Sequence, residues 1–292
     1  MPPGSPSQIF TRHDRIFERN RFVYPVISRR SGGLSIGINL NPDKICNFGC
    51  IYCQVDRKLP GSTRFVDLEQ LRRELEELLQ AAVRGDLIRH PLFANVPPGQ
   101  QRLKDLAFSG DGEPTSHRNF DEVVAACAEI KRLLAPEGVK MVLITNASLL
   151  DRPHVVRALE ILDRHQGEIW AKLDAGTEAY FRRVNQSRFT LQRIVDNIAQ
   201  TAQRRPIVIQ SLFFRLEGEP PGPAELEAYC DRLQTILAAG GQLKAVQVYT
   251  VARPPAEPMV GALRDREVDA IAARVRQCTG IPTVAYYGCE FP

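Results

Sequence analysis

The sequence predicts an α/β fold built on a parallel sheet, and three observations carry that prediction. From residue 34 onward, short apolar runs bounded by turn residues alternate with longer amphipathic runs. Six strand–helix units can be counted in this alternation, and such units imply right-handed crossovers between parallel strands. With 292 residues, 43% of them hydrophobic, the chain has the length of an ordinary single α/β barrel and can bury a large core.

Taken in order, residues 1–33 read as an N-terminal extension. Its first eight residues are rich in Pro, Ser and Gly; then Arg12, Arg15, Arg19, Arg21, Arg29 and Arg30 alternate with Phe17, Phe22 and Tyr24. This composition suits a segment wrapping the outside of the fold, aromatics packed down and guanidinium groups in water. Phosphate contact and base stacking on nucleic acid is the other reading. Strand one is LSIGINL (34–40), after Gly32-Gly33. Asp67 caps a helix with Leu68, Leu71, Leu75, Leu78, Leu79 and Ala82 on one face, and Gly85 ends it. A proline-rich loop leads to strand two (103–109). Asn119 and Glu122 then stand at capping-box spacing before a helix bearing Val123, Val124, Cys127, Ile130 and Leu133. Strand three (139–145) ends at Asn146; a helix near 152–164 precedes strand four (168–174). The segment 177–203 is mostly helical and leads to strand five (207–214). Pro223 opens the next helix, strand six is 245–251, and a last helix carries Val268, Ile271, Ala272 and Val275 before a short apolar tail. The expected division is thus 1–33 extension, 34–252 barrel, and 253–292 terminal helix and tail.

The net charge of +4 and pI near 8.7 describe an ordinary, mildly basic surface and do not by themselves imply a nucleic-acid partner. No apolar run has the length of a membrane span, and the N-terminus lacks the layout of a secretory signal. Seven cysteines, three crowded into one motif, read as metal-binding thiols of a reducing compartment rather than a disulfide framework. A cytoplasmic location is the expectation.

That motif is Cys46-Asn47-Phe48-Gly49-Cys50-Ile51-Tyr52-Cys53. Thiolates select zinc, copper(I) or iron–sulfur clusters. A closed structural zinc site wants four protein ligands, whereas three suit a cubane with one iron left open for chemistry. A zinc module or an electron carrier would need no pocket for a second cofactor. After strand two comes Gly110-Asp111-Gly112-Glu113-Pro114; its glycines let backbone approach a ligand closely, or simply make a βα turn. Asn146, Lys172 and Asp174 fall at strand ends, where parallel α/β sheets place their chemistry. A salt bridge is the plainer reading of the last two. Gln210, Ser211, Tyr249 and Arg253 are weaker candidates at the same end. Cys127, Cys230 and Cys278 read as core residues, and Cys289 as an inert tail thiol, an extra ligand or a reactive residue.

CxxxCxxC with an aromatic residue before the last cysteine resembles the signature of the radical SAM enzymes. The DGEP sequence of Asp111–Pro114 resembles their GGEP motif, with Asp111 in place of its first glycine. Strands one to four look most like the group that includes the wyosine-forming tRNA enzymes. The resemblance implies a partial (β/α)6 TIM-like barrel in which Cys46, Cys50 and Cys53 hold a 4Fe-4S cluster. The fourth iron of that cluster is chelated by S-adenosylmethionine (SAM). It places Tyr52 beside SAM and Gly110, Asp111, Gly112 and Glu113 around its amino group; from their positions at strand ends, Lys172 is expected on the SAM carboxylate, Asp174 on its ribose and Asn146 at the rim. It also implies an external one-electron reductant of flavodoxin or ferredoxin type and an oxidoreductase- or lyase-like reaction. In that reaction a 5′-deoxyadenosyl radical abstracts hydrogen from substrate. RNA or tRNA modification leads the substrate classes, followed by glycyl-radical activation of a protein partner and by methyl transfer using Cys289. Two departures bear on substrate. No cysteine precedes Cys46, whereas the wyosine enzymes hold a second cluster there, and Lys172 replaces a small hydroxyl residue.

Overall fold

The computed structural model describes residues 17–59, 61–62, 65–255 and 257–288. Contacts divide the chain into two compact units. One comprises the chain up to Cys46, Pro60–Ile144 and Arg152–Glu168; the other comprises Asn47–Leu59, Thr145–Asp151 and the chain from Ile169.

In the first unit, β1 (Val23–Ser28), β2 (Gly33–Ile38), β3 (Leu103–Phe108) and β4 (Lys140–Thr145) lie in that order. β2, β3 and β4 are parallel, with Ile38 opposite Phe108 and Phe108 opposite Leu143. All six β2 residues are buried, as expected of a strand covered on both faces. The helices of this unit are α1 (Leu68–Val83), the single turn α2 (Asp86–Arg89), α3 (Phe120–Leu134) and α4 (Pro153–Arg164). Asp67 caps α1 as expected, accepting from Gln70 N at 3.0 Å.

Two expectations are corrected here. The segment before strand one buries Phe17, Phe22 and Tyr24 as expected, but it is not a loose wrapper: β1 pairs antiparallel with β2, Val23 opposite Ile38. A buried carboxylate on α1 is the reason, because Glu74 accepts from the backbone N–H groups of Arg21, Phe22 and Val23 at 3.0, 2.8 and 3.2 Å. Arg12 and Arg15 lie outside the described residues. Nor does Asn119 form a capping box: its side-chain amide donates to the Glu122 carboxylate at 3.2 Å and accepts nothing from the helix.

β1 is locked onto β2 by a shape fit. A Cβ on Gly37 would lie 2.2 Å from Cζ of Tyr24, and the Tyr24 hydroxyl sits 3.3 Å from the Ser109 carbonyl. Gly37→Ala is therefore expected to displace the ring and cost about 2 kcal/mol of stability. Adding Tyr24→Ala should recover part of that loss if the ring is the obstacle. Urea unfolding of both single variants and the double variant measures this coupling.

In the second unit, β5 (Gly167–Lys172), β6 (Ile207–Leu212), β8 (Leu243–Tyr249) and β10 (Thr283–Tyr286) follow one another, with β6, β8 and β10 joined in parallel to their neighbours. β7 (Arg215–Leu216) and β9 (Val260–Gly261) form a small antiparallel ribbon. The apolar C-terminal piece thus supplies a parallel strand, which its shortness concealed. The helices are α5 (Glu178–Asn185), α6 (Leu191–Arg204), α7 (Pro223–Ala238) and α8 (Asp265–Thr279). The stretch 177–203 is two helices because Gln186 turns left-handed at φ 45°, and Thr177 and Thr190 each cap a new start. Among the described residues, no helix is long and apolar enough to cross a membrane.

Candidate cofactor site

The loop after β3 belongs to the first unit, and asparagines organise it. Asn39, just beyond β2, accepts from Asp111 N at 3.1 Å and donates to the Asp111 carboxylate at 2.7 Å. This two-point clamp gives the aspartate a structural role where the related motif has glycine. A Cβ on Gly110 would fall 2.2 Å from Asn39 Oδ1, and one on Gly112 would fall 2.2 Å from the Ile45 carbonyl. The glycines are thus required by close approach of protein to protein, immediately before Cys46. Glu113 is buried, and its Oε1 accepts from Thr115 N at 3.1 Å and from the Thr115 hydroxyl at 2.6 Å. Asn41 Oδ1 is buried with no hydrogen-bond partner.

His117 closes this loop. Burial holds its imidazole below the usual range, and the neighbouring His154 adds to the effect. A histidine whose folded pKa is lowered contributes stability that is complete above the unfolded value of about 6.5 and is lost as pH falls through the folded pKa. Unfolding midpoints should therefore drop more steeply on acidification in the native chain than in His117→Gln, a difference that paired denaturant melts from pH 7.5 to 5 will measure.

The cysteine loop beyond Cys46 belongs to the second unit. Gly49 N and Ile51 N donate to the carbonyls of Asn185 and Val184 at 3.1 and 3.0 Å, and Cys53 N donates to the Cys50 carbonyl at 2.9 Å. The loop is thus pinned to the end of α5, above an apolar cluster of Ile51, Tyr52, Val184, Leu212 and Phe214. Cys46, Cys50 and Cys53 are partly exposed thiols outside any disulfide. Asn185 Nδ2 donates to Cys50 Sγ at 3.5 Å, and Arg57 donates to Cys53 Sγ at 3.6 Å. Although part of Cys50 reaches solvent, its surroundings are dense enough that burial pushes its thiol up to about 12. Among the described residues, no three His, Cys, Asp or Glu side chains converge on one metal ion. A cubane does not require that convergence, because each cysteine takes a different iron.

Behind the loop runs a chain of hydrogen bonds. Asn185 Nδ2 donates to the Tyr52 hydroxyl at 2.9 Å, which donates to Asp174 Oδ2 at 2.5 Å. Asp174 also accepts from Leu212 N at 2.8 Å and pairs with Lys172 at 3.2 Å, and Lys172 donates to the Tyr249 hydroxyl at 2.8 Å. The Lys172 ammonium lies 5.2 and 5.3 Å from the ring centres of Tyr52 and Tyr249. Burial is the largest single influence and disfavours its charge, but the Asp174 carboxylate, the Tyr249 hydroxyl and the Cys50 sulfur together outweigh it and hold Lys172 above the usual range. Burial, with Asp174 beside it, raises Tyr52.

The structure therefore brings Tyr52, Lys172, Asp174 and Tyr249 together with Cys50. It ties Asn146 to the motif through Asn47, whose Oδ1 accepts from Asn146 Nδ2 at 2.7 Å. Gln210 donates to Gln247 at 3.0 Å, and Ser211 bonds the Leu173 carbonyl and Tyr229, both at 2.6 Å. Ser211 is thereby a core residue. Arg253 reaches Gln54 at 3.1 Å, beside the cysteine loop. Cys127 and Cys230 are buried as expected, Cys278 is partly exposed, and Cys289 lies outside the described residues. Sequence reasoning missed Asn39, Asn41 and Asn185. The only signal for Asn39 and Asn41 is a pair of asparagines set among Ile38, Leu40 and Pro42, and Asn185, between Val184 and Gln186, has none.

No protein-family model matches the chain. It is 31% identical over 140 residues to a UPF0026 protein of Helicobacter pylori, covering 48% of this chain and 39% of that protein. A UPF0026 protein of Methanocaldococcus jannaschii is 29% identical over 164 residues (55% of this chain, 42% of that one). The GTP 3′,8-cyclase of Xanthomonas axonopodis pv. citri is 29% identical over 168 residues, 57% of this chain and 42% of the enzyme. The matched segments span less than half the length of each of these relatives. Among solved structures, spore photoproduct lyase complexed with dinucleoside spore photoproduct matches with TM-score 0.56 and 10% identity, covering 96% of this chain and 81% of that one. At that identity the likeness establishes fold, and the fold is the partial barrel expected from the sequence.

Proposed function

We propose that the chain is a radical SAM protein in which Cys46, Cys50 and Cys53 hold a 4Fe-4S cluster on which SAM is cleaved. The observation that carries the reading is the cysteine loop pinned to α5, with N–H donors directed at the sulfurs of Cys50 and Cys53. Three soft donors in one loop, with no fourth cysteine beside them, fit a cluster with one iron left for an exchangeable ligand. A cluster held there, once reduced, would supply with SAM the 5′-deoxyadenosyl radical needed for hydrogen abstraction.

The residues of the chain bind and orient. Lys172, kept charged by Asp174, offers an ammonium to the SAM carboxylate, with Tyr52 flanking it. Asp174 already accepts from Tyr52, Leu212 and Lys172, so its contribution is to hold Lys172 and Tyr52 rather than to bind ribose. By resemblance to the motif, the 110–113 backbone would offer its polar groups to the SAM amino group; Asn146 is tied to Asn47 of the cysteine loop. Nucleotide chemistry is named for one relative, GTP 3′,8-cyclase, which supports a nucleotide or RNA substrate. A flavodoxin- or ferredoxin-type protein would deliver the electron.

Anaerobic reconstitution with iron and sulfide tests the reading. The expected result is a brown protein that forms 5′-deoxyadenosine from SAM only when dithionite is present. A colourless zinc protein would overturn the cluster; a brown protein that forms no 5′-deoxyadenosine would leave an electron carrier.

A further inference from the structure

We infer that Asn185 is a positioning residue that sets the electron affinity of the cluster through the Cys50 sulfur. The inference rests on the proposed cluster but concerns a residue outside both sequence motifs. Asn185 ends α5 and is 2% exposed. Its amide nitrogen has two hydrogens, and the structure uses both: one toward Cys50 Sγ at 3.5 Å, the other toward the Tyr52 hydroxyl at 2.9 Å. Its backbone carbonyl takes a third bond, from Gly49 N at 3.1 Å. The same residue therefore fixes the loop's backbone, one thiol and the aromatic side chain next to the last cysteine.

Packing alone does not explain an asparagine here. Its Oδ1 is buried with no hydrogen-bond partner, which is unfavourable, whereas a leucine of similar size would leave no orphan. Some other benefit must hold the amide in place, and the visible one is the N–H pair. A donor to a cluster thiolate draws electron density from the sulfur. It therefore stabilises the more negative, reduced cluster more than the oxidised one. Removing it should make reduction harder.

The test is a redox titration, followed by visible and electron paramagnetic resonance spectra, of reconstituted native protein, Asn185→Ala and Asn185→Asp, each normalised to bound iron. One-electron reduction should become about tenfold less favourable in Asn185→Ala, a fall of about 59 mV. It should fall further in Asn185→Asp, which keeps the shape but sets a negative charge beside the sulfur. Unchanged potentials in both variants at full iron load would overturn the inference. So would joint loss of fold and iron in both, which would make the amide a packing element. A variant that keeps its circular dichroism and melting point but loses iron would also overturn it, because the amide would then serve to retain the cluster rather than to set its potential. Failure of the native chain to take up a cluster would instead sink the underlying function.

Discussion

Cys53→Ser will leave a folded protein that carries little iron and forms 5′-deoxyadenosine at least a hundredfold more slowly than the native chain. Substituting residues that merely orient a metal ligand commonly costs 10–100-fold, and removing a ligand should cost at least as much. Serine offers a hard alkoxide donor in place of a soft thiolate. The fold should survive, because Cys53 is partly exposed and its backbone bond to the Cys50 carbonyl does not use the side chain. Iron analysis, far-ultraviolet circular dichroism and product chromatography, run on Cys46→Ser and Cys50→Ser as well, separate loss of ligand from loss of fold. Cys127→Ser serves as the comparison: it touches the core of α3 and should cost stability without lowering iron.

Lys172→Met is the second large effect. The side chains of Lys172 and Asp174 are 19% and 2% exposed, so removing the lysine leaves a carboxylate buried without its counter-ion. Breaking such a pair from one side costs about 3–5 kcal/mol. The lower end applies here because Tyr52 and Leu212 still donate to Asp174. Lys172→Met/Asp174→Asn should recover much of that stability while SAM affinity stays low, since neutral partners pack without an orphaned charge. The pH dependence has a definite sign. A lysine whose folded pKa is raised contributes fully below the unfolded value of about 10.4 and loses its contribution only as pH rises through the folded pKa. The native-minus-variant difference in urea melts should thus be flat from pH 6 to 9. Isothermal titration of SAM into native and variant protein separates the binding role from the stability role.

Much of this was readable in the residues. Apolar runs gave the six units of the barrel, because strands covered on both faces leave little room for polar residues. Spacing gave the cysteine loop, and turn chemistry gave Asp67 and Pro223 as helix starts. The failures share a cause: each depends on a partner distant in sequence. β1 looked like a basic wrapper because the carboxylate holding it, Glu74, lies about fifty residues away on a helix whose own pattern is complete without it. Asn185 carries no local mark of its bond to Cys50, which spans 135 positions. The close approaches that require glycine at 110 and 112 are likewise to residues far off in the chain, Asn39 and Ile45. Periodicity reports which way a side chain faces; it does not report what stands opposite.

The fit of Tyr24 over Gly37 has a consequence for how this chain can vary. Each position holds the other in place: a methyl group cannot appear at 37 until the ring at 24 has gone, and a lost ring leaves a hollow that glycine cannot fill. The two sites are therefore expected to change together or not at all across descendants of this sequence. A homologue with a bulkier residue at one should show a smaller one at the other.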